Sequence, residues 1–300
     1  GYGSHGMTQK QCDAYYMNDG KDCPGMNDMY RGVDGYIGRC DSRQRAEGYV
    51  DENELSTYPE LGLLGVGVSK QYVQREPRFY ASVAYNGSTW HLLRALNDDN
   101  HNETENIQVF YYRGENNGYT NSSYWLKTGI GIKKYVHPND ISYTQKNSYD
   151  VERIERKVDI ALRYGETLLI YAEALNEYDP GNPQIAWAAN QVRGRAGLPG
   201  VDQLTGNQVA MREKIREERR HEFVAEHKRY FDILRWKTAE KVLNEPGYGI
   251  NKDEKAPIGD YSVEQFLGQN RTFDASKHYL WPIPQSARDK NPNLGQNPNW

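Results

Sequence analysis

Between Arg163 and Ala196 the chain spells out two helices and the turn that joins them. Tyr164, Leu168, Tyr171, Leu175 and Tyr178 recur at steps of four, three, four and three. That spacing places them along one side of a 3.6-residue helix. Asp179-Pro180-Gly181-Asn182-Pro183 stops it, because proline removes backbone donors and clashes with the preceding turn. A second stripe follows at Ile185, Ala189, Val192 and Ala196 and ends at Gly197 and Pro199. The unit spans 34 residues, the length of one tetratricopeptide unit. Its tyrosines are assigned to the packing seam. Such hairpins work in stacks, so the 300-residue chain alone is expected to leave one face of this one exposed.

A third helix is predicted over 207–228. Met211, Ile215, Glu218, Glu222 and Ala225 share its face, so two carboxylates occupy positions that should be apolar. Arg219, Arg220 and Arg229 are at hand as partners. Glu217, Glu218, Glu222 and Glu226 could serve as acid and base in a glycoside hydrolase, which needs one carboxyl with a raised pKa. Interleaved arginines act the other way and favour ion pairs. A salt-bridge lattice joining helices is therefore the expected role. His221 and His227 are six apart, which is wrong for a zinc helix that needs histidines four apart on one face. Gly1-x-Gly3-x-x-Gly6 lacks the strand and helix that a dinucleotide loop requires. No cofactor and no metal site is expected.

Before residue 150 the character changes to Gly, Asn, Tyr and short alternating runs. Phe79, Ala81, Val83 and Tyr85, then Asn86-Gly87, then Ser88, Trp90 and Leu92 form a hairpin pattern. Residues 95–125 read as polar loop, with a further short strand through 129–136. Cys12, Cys23 and Cys40 leave two readings open, a Cys12–Cys23 bridge closing a short loop or reduced thiols. The tail is punctuated by Pro and Asn and reads as an extended strap. The chain divides into a loop and hairpin region over 1–150, a helical region over 151–245 and a strap over 246–300, within one domain.

The aromatics are lopsided, 24 Tyr and 6 Trp against 6 Phe. Rings with a polar handle suit half-wet sites. Tyr111, Tyr112, Tyr119, Tyr124 and Trp125 crowd together with Arg113, Asn116 and Asn117, without helical period. A ring can stack on a pyranose face while Asn and Arg bond its hydroxyls. About 100 Å² per ring face contributes about 2.5 kcal/mol. Two such platforms imply affinities from about millimolar to tens of micromolar. Tyr36, Tyr49 and Tyr72 belong to a second, looser set. The alternative for both sets is that the rings pin down long loops.

Other classes are excluded. No run of 18 apolar residues exists, so no helix spans a bilayer. A net charge of −4 with mixed signs argues against a nucleic-acid partner bound by bulk electrostatics. So many aromatics at so low a net charge argue against disorder.

Several stretches then point to a family. They begin with Thr8-Gln9, Asp13-Ala14-Tyr15, Met17 and Asp19-Gly20-Lys21. Arg75-Glu76-Pro77-Arg78-Phe79-Tyr80 leads to Tyr85-Asn86-Gly87, and Thr128-Gly129 to Lys133-Lys134-Tyr135. Arg163-Tyr164 runs through Tyr171-Ala172-Glu173-Ala174 to Val192-Arg193 and Arg195-Ala196-Gly197-Leu198-Pro199. Glu218-Arg219-Arg220-x-Glu222, Glu226, Arg229-Tyr230-Phe231-Asp232 and Arg235-Trp236 follow. Leu280-Trp281-Pro282-Ile283-Pro284 and Asn291-Pro292-x-Leu294-x-Gln296-Asn297-Pro298 close the chain. In this order they resemble the C-terminal part of SusD/RagB outer-membrane lipoproteins.

The resemblance implies a mainly α, SusD-like fold with tetratricopeptide-type hairpins and a loop-rich region with short β-hairpins. It implies a non-enzymatic, cell-surface protein on the extracellular face of the outer membrane. Such a protein captures an oligosaccharide, or in some members a peptide, as the lid of a SusC-like TonB-dependent transporter. A hydrolase and a protein-binding tetratricopeptide scaffold are the alternatives. Family members are longer and carry a lipid anchor in an N-terminal half, so residue 1 is expected to fall inside a longer parent. The family's ligand site lies in variable loops, so no binding residue is carried over by motif.

Overall fold

The computed structural model describes residues 6–24, 48–58, 64–93, 104–115, 118, 125–137, 141–145, 148–153, 155–158, 160–244, 247–250, 263–265 and 271–300. In chain order the elements are α1 (Gln9–Ala14), α2 (Pro77–Ser82), β1 (Val83–Ala84), β2 (Ser88–Leu93), β3 (Thr104–Val109), β4 (Gly131–Ile132), β5 (Ile141–Gln145) and β6 (Ser148–Arg153). The helical run follows, with α3 (Tyr164–Tyr178), α4 (Gln184–Arg195), α5 (Gln208–Glu222), α6 (Arg229–Arg235) and α7 (Ala239–Leu243). A short pair, β7 (Tyr248–Ile250) and β8 (Val263–Gln265), and α8 (Gln285–Lys290) complete the order.

The hairpin stands where its period and its Pro-Gly break put it, but its seam is rotated. Leu168, Leu169 and Ala172 of α3 pack on Ile185, Ala186, Ala189 and Val192 of α4, with Met211 and Ile215 of α5 closing the cluster. Tyr164, Tyr171 and Tyr178, expected in the seam, are exposed instead, Tyr178 at 88%. The reason lies on the facing helix. Ala186, Ala188 and Ala189 are buried on that helix, and α3 meets them with Leu168, Leu169 and Ala172. Asn176 is buried in the same seam and exchanges side-chain amide contacts with Gln208, each donating at 3.0 Å to the other's backbone carbonyl. The outer face of the hairpin, including Trp187, is exposed as expected.

The Asn207 side chain caps α5 by accepting from the Ala210 amide at 3.2 Å. The helix ends at Glu222, short of the expected 228. Ala225 and His227 take left-handed φ values of 60° and 59°, a conformation unfavourable to non-glycine residues. The sharp turn brings α6 back on α5, where Arg219 grips Asp232 through two hydrogen bonds of 3.0 Å. This bidentate buried pair fixes the angle between the two helices.

A second core lies around α1 and α2. Tyr72, Phe79 and Tyr85 stack with centroid separations of 4.9–5.9 Å. Cys12, Tyr15, Val68, Val83 and Ile130 surround them. Arg75 is enclosed here and donates to the carbonyls of Cys12 at 2.7 Å and Tyr15 at 2.8 Å. Its guanidinium thus satisfies carbonyls at the C-terminal end of α1. Cys12 and Cys23 are both buried thiols, so the short Cys12–Cys23 bridge is not made. Cys40 lies outside the described residues.

The expected first hairpin arm is helical. Pro77 at the first helical position fixes φ and starts α2, which overrides the alternation of Phe79 and Ala81. The Asn86-Gly87 turn survives, with Gly87 at φ +83°, but it does not join paired strands. β1 pairs with β4 through Val83 and Ile132. β2 pairs antiparallel with β3, Ser88 opposite Val109, and β3 lies inside the stretch expected to be loop. The four-stranded order is β3-β2-β5-β6. Only β4 falls in the strand expected at 129–136. In the tail, Asn297 donates to the Trp281 carbonyl and Gln296 to that of Ile283. The strap is tied to itself around the single turn of α8.

Candidate functional site

The expected ring platforms separate into three groups. Tyr36, Asn116, Asn117, Tyr119 and Tyr124 lie outside the described residues. Tyr72, Tyr111 and Tyr112 are buried in the core clusters. Tyr72 packs against Phe79 and Tyr85 in the aromatic stack. Tyr111 packs with Ala84 and Leu126, its amide donates to Asn86 Oδ1 at 2.7 Å, and burial pushes its hydroxyl pKa well up. Trp125 and Tyr49 are half-buried and Arg113 is exposed. Trp125 precedes Leu126 and Arg113 follows Tyr112 in the chain.

The acidic face of α5 forms the expected lattice, but with distant partners. Arg78 Nη1 donates to Glu218 at 2.6 Å and to Glu222 at 2.9 Å. Arg163 donates to Glu222 at 2.6 Å and to Glu226 at 2.9 Å. Arg193 donates to Glu218 at 2.9 Å, Arg195 bonds Glu222 and Lys134 bonds Glu226. The expected partner Arg219 goes to Asp232, and Arg220 donates to Gln11 and to the Lys10 carbonyl. Burial pushes the Glu222 carboxyl up, yet Arg163 and Arg78 outweigh it and hold the group at about 2. Glu226 is likewise lowered, burial being outweighed by Arg163 and Lys134. These are ionised clamps joining α2, α4 and α5 to the segments at 134 and 163. A glycosidase acid needs the opposite shift.

Beside the lattice lies a cavity of about 390 Å³ between α1 and α5–α7. One wall is salt-bridged within the protein. Arg216 reaches Glu213 at 3.1 Å, while Lys214 meets Glu217 at 3.0 Å and Asp22 at 3.7 Å. Lys10 of α1, Arg220 of α5, Arg229 of α6, Lys241 of α7 and Arg271 also line the cavity, together with Asp13, Asp22, Glu213 and Glu217. Burial lowers the Lys10 ammonium, and Arg220, Arg271, Lys241 and Arg229 lower it further, to about 7. His221 also lines the cavity. It is 2% exposed, held between Tyr15 and Tyr16, and neither ring nitrogen has a hydrogen-bond partner among the described residues. Its Nδ1 is 3.7 Å from Glu76. Burial and then the Arg78 charge keep its pKa well below the usual 6.5.

Sequence reasoning missed this cavity. Its cations come from five separate segments, and each alone looks like an ordinary solvated side chain. Only the burial of Lys10 among them distinguishes the group, and burial is a tertiary property.

The family model of the SusD family matches residues 1–300. SusD-like protein P2 of Formosa agariphila is 33% identical over 144 residues, which is 46% of this chain and 25% of that protein. A SusD-like protein from Bacteroides fragilis superposes with a TM-score of 0.68 at 24% identity, over 98% of this chain and 47% of its own. A second from the same organism, described as a SusD-like carbohydrate binding protein, gives 0.56 at 22% identity, over 97% of this chain and 51% of its own. The chain thus spans about half the length or less of the relatives it matches. The helical hairpin and the surrounding core are those of a SusD-like fold. With its whole length matched by the family model, the chain belongs to the SusD family.

Proposed function

We propose that this chain is part of a non-enzymatic, cell-surface protein that captures oligosaccharides at the outer membrane and hands them to a SusC-like TonB-dependent transporter. The observation that carries the reading is the match of the family model to all 300 residues. The Bacteroides fragilis neighbour described as a carbohydrate binding protein supports the choice of ligand. The chemistry at the end of α5 agrees, since arginines and a lysine hold Glu222 and Glu226 ionised. Trp125 and Arg113 are the ring and the donor proposed to meet a sugar.

The test is a glycan array followed by isothermal titration with the chain and with Trp125→Ala. Loss of one ring face worth about 2.5 kcal/mol weakens binding by about 50-fold or more. Binding to peptides with no response to any sugar overturns the oligosaccharide reading in favour of peptide import. Release of reducing ends from a bound oligosaccharide overturns the non-enzymatic one.

A further inference from the structure

The three tyrosines left outside the hairpin core form a line of their own. Tyr164, Tyr171 and Tyr178 stand seven residues apart on α3, about 10.5 Å from one to the next along the axis. They are 69%, 44% and 88% exposed. Thr167 and Ala174, also exposed, fall between them. Large side chains at every seventh position, alternating with small ones, make the ridge and groove that a second helix fits. The stripe points away from the neighbours that α3 already has. Leu168, Leu169 and Ala172 turn to α4 and α5. Glu166 and Glu173 turn to α6, where Lys228 and Arg235 meet them at 3.0 and 2.5 Å.

A sugar platform needs polar groups beside its rings, but the carboxylates flanking this stripe are engaged within the chain, Glu177 with Arg212 at 2.5 Å like the other two. A helix needs only the apolar ridge. Hairpins of tetratricopeptide length bury their faces against the unit before and the unit after. Here α5 packs as the unit after. Two solved relatives have the length to supply the unit before, since this chain covers only 47% and 51% of them. We infer that the tyrosine stripe seats an amphipathic helix from a helical hairpin encoded ahead of Gly1, in a protein of the relatives' length. This docking stands whichever ligand the protein captures.

The test compares the 300-residue chain with the full product of its gene. Tyr171→Cys is made in each and treated with a maleimide, and peptide mass spectrometry reads labelling at that position apart from the native cysteines. Cys12, buried in the second core, labels slowly in both and controls for folding. Labelling at position 171 should be about tenfold slower or more in the full product. Tyr171→Asp should lower the thermal midpoint of the full product by about 2 °C or more and leave that of the 300-residue chain within about 1 °C. Equal labelling rates, or a gene that encodes no helical hairpin ahead of Gly1, overturn the inference. Protection in the 300-residue chain that vanishes on dilution assigns the stripe to a second copy and overturns it. Protection of the full product only when an oligosaccharide is added assigns the stripe to a glycan and overturns it as well.

Discussion

Glu222→Gln removes the charge at the centre of the α5 lattice while keeping the side chain's shape. In the native protein the Glu222 carboxylate faces Arg78, Arg163 and Arg195, and its side chain is 2% exposed. Solvent therefore screens these contacts little. The carboxyl pKa falls from 4.5 to about 2 because those arginines outweigh the opposing effect of burial. That gap corresponds to about 3 kcal/mol of folding stability. The folded-state pKa is depressed, so the contribution is complete above about pH 4.5 and is lost as pH falls toward 2. At pH 3 somewhat less than half of it is left.

Glu222→Gln should therefore cost about 3 kcal/mol at pH 7, and the gap to the wild-type chain should narrow by about 2 kcal/mol at pH 3. Urea unfolding followed by circular dichroism at both pH values measures it. A cost below about 0.5 kcal/mol at pH 7, or a gap that does not change with pH, refutes the clamp assignment. The second result would mean that the variant acts through packing and not through charge.

Three further outcomes follow from the same structure. Leu169→Ala, at a fully buried seam position, should cost about 2–5 kcal/mol in urea unfolding. Tyr178→Ser, at the exposed position once assigned to that seam, should stay within about 0.5 kcal/mol of wild type, and the reverse ranking would contradict the rotated seam. Gly87→Ala places a Cβ 3.0 Å from Val68 and 3.1 Å from Phe110 at φ +83°. It should lower stability by about 1–3 kcal/mol, visible as a lower thermal midpoint.

The hairpin at 163–196 was legible because helix period and a Pro-Gly break are local properties. Which side of α3 faces inward was not, since Tyr and Leu recur with the same period and only the alanines of α4 decide between them. The fate of Phe79 and Ala81 shows the limit again, because Pro77 starts a helix that alternation alone assigns to a strand. The lattice on α5 was visible as carboxylates on an apolar stripe. Its partners were not, because Arg78 and Arg163 reach it across 140 and 59 residues of chain.

The aromatic excess divides along the same line. By itself the sequence determined that this chain uses rings with polar handles, that its centre is a helical hairpin and that it falls in the SusD/RagB family. Its tertiary structure decided that Tyr72, Tyr111 and Tyr112 serve the core and that Tyr164, Tyr171 and Tyr178 face outward. It also decided that five cations from separate segments share one cavity. Periodicity and turn chemistry act over a few residues and can be read along the chain. Burial and the meeting of charges depend on which segments the fold brings together, and no local pattern encodes that.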